Sequence, residues 1–64
     1  MADENEFLIE CLKVSGIWRV VAIDPVTGTE VTFQAPGSLH PAELRLTAAN
    51  KLNYVLNRRK DGQE

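Results

Sequence analysis

Few side chains in this 64-residue chain could do covalent or acid–base chemistry, and their spacing decides how far each goes. Cys11 is the single cysteine and His40 the single histidine. A reactive thiolate needs exposure and a basic neighbour. Cys11 instead falls on the apolar side of an expected strand, where cysteine behaves as a small buried hydrophobe. One cysteine closes no internal disulfide, and with one histidine it cannot complete a four-ligand zinc site. His40 stands directly before Pro41 at an expected helix start, which is a capping or turn position without an identifiable chemical partner. Asp24, Glu10 and Glu30 lie on or beside three different strands. Register could bring two of them together for acid–base work. Arg19 shares the face of both glutamates, however, so solvated or ion-paired carboxylates are the expectation.

The remaining polar features give no stronger chemical signal. Gly16 and Gly28 punctuate turns, and no glycine-rich stretch leads into a helix, so no phosphate cradle is expected. Arg58-Arg59-Lys60 is the basic cluster of the chain. At a helix end it complements the negative pole of the dipole; contact with phosphate is the sharper alternative. Trp18 is expected inside the sheet's core, as a packing residue rather than a base-stacking one. No catalytic, cofactor or metal site is expected, and the chain is read as a non-enzyme.

The elements that position these residues follow from turn chemistry. Phe7 to Val14 is rich in strand formers, and Ser15-Gly16 separates it from the apolar run Ile17 to Ile23. Ser-Gly between two apolar segments signals a tight hairpin, because such turns need positive φ. Asp24-Pro25-Val26-Thr27-Gly28 is the clearest turn. Asp24 can bond its own downstream backbone, Pro25 presets φ, and Gly28 suits a left-handed exit. A third strand runs from Thr29 to Ala35 and stops at Pro36-Gly37-Ser38. His40-Pro41-Ala42-Glu43 opens a helix, with proline at its favoured first position and Glu43 at the positive pole. The helix extends to about Arg59, and Gly62 is a plausible stop. The expected fold is α+β: a three-stranded antiparallel meander with one C-terminal helix on one face. It forms one domain over 1–64, with a flexible acidic tail at 1–6, the sheet at 7–35, the helix at 41–59 and a second flexible tail at 60–64.

Composition bounds the rest. Apolar residues make up 44% and charged residues 25%, which is globular rather than disordered. A net charge of −2 gives no bulk attraction to nucleic acid. The N-terminus is acidic, unlike the basic start of a signal peptide, and no apolar run approaches the roughly 20 residues of a membrane span. A free thiol without an export signal suits the cytoplasm.

The loop lengths also set which side chains share a face. A two-residue first loop pairs Val14 with Ile17, Cys11 with Val20 and Ile9 with Ala22. A four-residue second loop, Pro25 to Gly28, pairs Asp24 with Thr29, Ala22 with Val31 and Val20 with Phe33. One face then carries Phe7, Ile9, Cys11, Trp18, Val20, Ala22, Val31, Phe33 and Ala35, with Lys13 near an end. Ala48, Ala49, Leu52, Val55 and Leu56 form the helix stripe that covers it, with Leu44 at the margin. The opposite face carries Leu8, Leu12, Val14, Ile17, Val21 and Ile23 among Glu10, Arg19, Glu30, Thr32 and Gln34. A single helix cannot cover both faces, and an apolar patch of that size exceeds what a monomer normally exposes. Leu8, Leu12, Ile17, Arg19, Val21 and Ile23 are the candidate interaction face. Leu46 and Tyr54 fall off the helix's core stripe and are expected to add contact area.

Two resemblances accompany these residues. Ile23 to Val31 reads Ile-Asp-Pro-Val-Thr-Gly-Thr-Glu-Val, and Lys51 to Leu56 reads Lys-Leu-Asn-Tyr-Val-Leu. In both stretches, and over most of its length, the chain resembles a group of very small uncharacterised bacterial proteins that carry a domain of unknown function. That resemblance implies no activity. Gly16-Ile17-Trp18-Arg19 followed by Asp24-Pro25-Val26-Thr27-Gly28 also looks like the three-strand-plus-helix DNA-binding domains of AP2/ERF factors and integrase arm-binding domains. Those place several arginines and an aromatic on their open face. Here Arg19 stands alone there beside two glutamates, and phosphate neutralisation needs more. The expectation is a protein-interaction module that self-associates or binds a protein partner through the open face. A nucleic-acid-binding module is the alternative.

Overall fold

The structure, a computed structural model, describes residues 4–62, with side chains for residues 4–58. The parts of the expected tails at 1–3 and 63–64 lie outside the described residues. Three strands, β1 (Leu8–Val14), β2 (Ile17–Ile23) and β3 (Glu30–Pro36), precede one helix, α1 (Pro41–Gly62). The sheet is antiparallel in the order β1-β2-β3. This is the expected βββα arrangement of an α+β fold.

Both turns have the geometry that their residues dictate. Ser15 and Gly16 have φ of 52° and 78°, so both corners of the first hairpin are left-handed. Such a turn twists with the strands it joins. It pairs Val14 with Ile17, and with them Cys11 with Val20 and Ile9 with Ala22. In the second turn the Asp24 side chain accepts from the Val26 backbone N–H at 3.1 Å and from the Thr27 hydroxyl at 2.9 Å. Asp24 N–H donates to the Thr29 carbonyl at 2.8 Å, and Gly28 N–H donates to the Asp24 carbonyl at 2.8 Å. The loop is therefore four residues long, which pairs Ala22 with Val31 and Val20 with Phe33.

These turns also set where backbone groups point. In an antiparallel ladder, alternate residues face a given neighbour. The Asp24–Thr29 bond puts Ala22, Val20 and Trp18 in register to bond β3, and leaves Ile17, Arg19, Val21 and Ile23 to bond β1. On β3 the N–H and C=O groups of Glu30, Thr32 and Gln34 consequently point away from β2, along the outer edge of the sheet. Pro36 has the same parity, so its missing N–H falls on the outer edge and breaks no ladder bond.

The core lies between one face of the sheet and α1. Phe7, Val20, Ala22 and Ala35 meet Leu44, Ala48, Ala49 and Leu52 there. Two adjacent alanines on α1 leave room for the helix backbone to approach the sheet. The helix start carries the acidic half of a capping box: the Glu43 carboxylate accepts from the His40 N–H at 3.0 Å. With His40 at the cap, Leu39 and Leu44 occupy the two positions of a hydrophobic staple. Leu44 is fully buried and Leu39 packs on the core cluster. Leu44 therefore belongs to the core centre rather than its margin, because the staple draws the first helical turn inward. The Trp18 indole N–H donates to the Leu39 carbonyl at 3.0 Å and ties the same segment to β2.

Several boundaries differ from expectation: β1 opens at Leu8 rather than Phe7, and β3 covers Glu30–Pro36 rather than Thr29 to Ala35. Glu4–Glu6 form a single 3-10 turn instead of a frayed tail, and α1 continues past Arg59 to Gly62. In the connection before α1, a methyl group at Gly37 would overlap the Gly16 carbonyl, so the connection packs directly on the first hairpin turn.

Candidate functional site

The face of the sheet opposite α1 is built by the second set of alternating side chains. Leu8, Leu12, Val14 and Ile17 are between 46 and 64% exposed, all on β1 and the start of β2. Val21 and Ile23 lie on the same face but are half-buried. They stand on the central strand, where cross-strand neighbours on both sides shield them. Those neighbours are Glu10 and Thr32 for Val21, and Leu8 and Glu30 for Ile23. Arg19 is exposed between Leu12 and Gln34, neither of them charged. Glu10 is its diagonal neighbour on β1, while Glu30 lies four positions further along β3. One edge of the face is thus aliphatic, and the other, on β3, is polar.

The residues weighed for chemistry stand in structural positions. Cys11 is half-buried and packs against the core. Asp24 is buried and holds its turn, while Glu10 and Glu30 are exposed on β1 and β3, with the central strand between them. The three carboxylates are not brought together. His40 serves as the helix cap. Among the described residues no cluster of three or more His, Cys, Asp or Glu side chains could hold a metal ion, and no helix is long and apolar enough to cross a membrane. Arg59 and Lys60 lie outside the described side chains, so of the basic cluster only Arg58 can be placed. Arg58 donates to the Tyr54 hydroxyl at 3.1 Å and stacks on its ring, 5.6 Å from the centroid. That hydrogen bond raises the guanidinium pKa above its ordinary value.

Leu46 and Tyr54 are exposed, but on α1, so the thickness of the sheet separates them from the open face. They cannot extend that patch. Tyr54 instead lines a shallow groove of about 430 Å³ between α1 and the outer edge of β3. Val31, Thr32 and Phe33 form its sheet side; Asn50, Lys51 and Val55 complete its helix side. Lys51 Nζ lies 5.2 Å from the centroid of the Phe33 ring. The groove depends on where α1 crosses the sheet, and the strand and helix patterns carry no signal of that crossing.

A family model matches residues 4–59, from the 3-10 turn through all three strands and most of α1. The chain belongs to the DUF6898 family. This family is a domain of unknown function, as the resemblance led one to expect. The DUF6898 segment contains both the open face and the groove, together with the Ile23–Val31 turn and the Lys51–Leu56 stretch that carry the resemblance. Neither the curated proteins nor the solved structures give a match.

Proposed function

We propose that this protein is a non-enzymatic interaction module that pairs with a second copy of itself through the open face of its sheet. The observation that carries the reading is the group Leu8, Leu12, Val14 and Ile17, exposed on the face that α1 leaves uncovered. Fully burying an aliphatic side chain is worth about 1.5–3 kcal/mol, so a few of them can drive association. Charge complementarity favours a second copy. Arg19 and the two glutamates lie on one face, and a two-fold axis through it would set each arginine against its partner's acids. The same glutamates oppose a phosphate backbone.

The footprint sets the strength. Three strands spaced by about 4.8 Å, each seven residues long, span roughly 14 by 23 Å. In projection that is about 320 Å² per partner, well under the roughly 800 Å² of a standard specific interface, so the pairing is weak. A micromolar, concentration-dependent dimer is the expected state.

Sedimentation velocity across a micromolar to near-millimolar series tests it. The wild-type protein should pass from monomer to dimer. Val21→Glu should stay monomeric with an unchanged circular dichroism spectrum. Val20→Glu, on the covered face, should lose about 3 kcal/mol or more of stability, because it places an unpaired charge in a fully buried site. A wild-type monomer throughout the series would remove self-pairing and leave the face to a foreign protein. Equal unfolding of both variants would overturn the assignment of faces.

A further inference from the structure

We infer that the outer edge of β3, with the groove beside it, takes an extended acidic peptide of a partner protein as a fourth strand. Three observations meet at this edge, and none depends on the open face.

The first is backbone polarity. Glu30, Thr32 and Gln34 direct their N–H and C=O groups outward, and β3 pairs with β2 alone. Such a row of groups is a template for strand addition. The second is shape. An added strand alternates its side chains between the two faces of the sheet. Those on the helix side would enter the groove, against Val31, Phe33, Tyr54 and Val55. Val31, Phe33 and Val55 are half-buried, so each keeps apolar surface free for contact. Backbone bonds thus set the pose, and the groove selects alternate apolar side chains.

The third is charge. The groove lining contains Lys51 and no carboxylate, and Arg58 is held nearby on Tyr54. Glu30 sits on the opposite face of β3. A carboxylate on the incoming strand would meet Lys51, which lies over Phe33 near the middle of the edge. The same lysine disfavours pairing of this edge with itself. A two-fold axis at Thr32 would bring both Lys51 ammonium groups toward one point, where like charges repel.

The test uses a blocked six-residue peptide with threonine at every second position and valine, glutamate and valine in turn at the positions between, so that the groove-facing set carries one carboxylate for Lys51; it is titrated into isotope-labelled protein. The backbone amides of Glu30, Thr32 and Gln34 should shift and gain protection from hydrogen exchange. Thr32→Pro removes one outward N–H and no bond to β2, so it should weaken binding roughly tenfold, the scale of one lost backbone bond. Lys51→Glu, an exposed helix substitution that leaves the fold intact, should weaken it as well. The same peptide methylated on alternate backbone nitrogens should fail to bind. Three results would overturn the inference: shifts at Leu8, Leu12 and Ile17 in place of β3, undiminished binding by the methylated peptide, or protection of the β3 edge at high concentration without peptide. The last would mean that a second copy occupies the edge.

Discussion

Ser15 holds a φ of 52°, and among the described residues it is the one non-glycine residue with a positive value. Serine enters the left-handed region at a cost, whereas asparagine is enriched there and Asn-Gly is the favoured pair for this turn. Ser15→Asn should therefore stabilise the fold by about 0.5–1 kcal/mol. In a domain this small that raises the melting temperature by roughly 3–8 °C, readable by thermal circular dichroism. The residue types announce such positions directly. Ser-Gly and Asp-Pro-x-Thr-Gly each name their turn, and Asp24 bonds Val26 as an aspartate in that place should. Leu39 was not legible in the same way. It lies in a loop, outside any periodic stripe, and its burial depends on the helix starting at Pro41. The signal that could have found it is the Leu39–Leu44 spacing around His40-Pro41-Ala42-Glu43.

Between elements, the contact of Gly37 with the Gly16 carbonyl joins the β3–α1 connection to the β1–β2 hairpin. Backbone meets backbone there, so neither side can yield by a rotamer change. Gly37→Ala should cost about 1–3 kcal/mol, as overpacking of a close contact does, and a urea titration with unchanged slope would read it. The register of the strands was fully legible, because each loop length permits one coherent apolar face. The depth of Leu44 and the end of α1 were less so. The first depends on the staple, and the last turns of the helix have no stripe to mark them. A helix of 22 residues is about 33 Å long, whereas a seven-residue strand spans about 23 Å. The helix thus outruns the sheet.

At the level of the whole molecule, assembly and stability are linked. If the folded chain pairs through the open face, the melting temperature must rise with protein concentration. A rise of a few degrees across a hundredfold dilution series is expected for the wild type, and a flat response for Val21→Glu. Scanning calorimetry checks both. Part of this surface was visible in the chain itself. Ile17, Val21 and Ile23 add a second apolar side to a strand whose first side, Trp18, Val20 and Ala22, already fills the core. The groove along β3 was not visible, since it forms where two elements far apart in sequence pass each other. The pattern of one strand can show that a face is spare; it cannot show what stands beside an edge.

The bond from the Trp18 indole to the Leu39 carbonyl has one more use. Trp18 is the only tryptophan, and it sits where β2, the connection and the start of α1 converge. The chain therefore carries its own fluorophore at the seam between sheet and helix. Its emission reports whether the two layers are docked, while far-ultraviolet ellipticity reports whether the helix exists. Coincident melting curves would identify one cooperative unit. A red shift that precedes the loss of ellipticity would reveal a helix that survives undocked, and would time the moment at which the layers part.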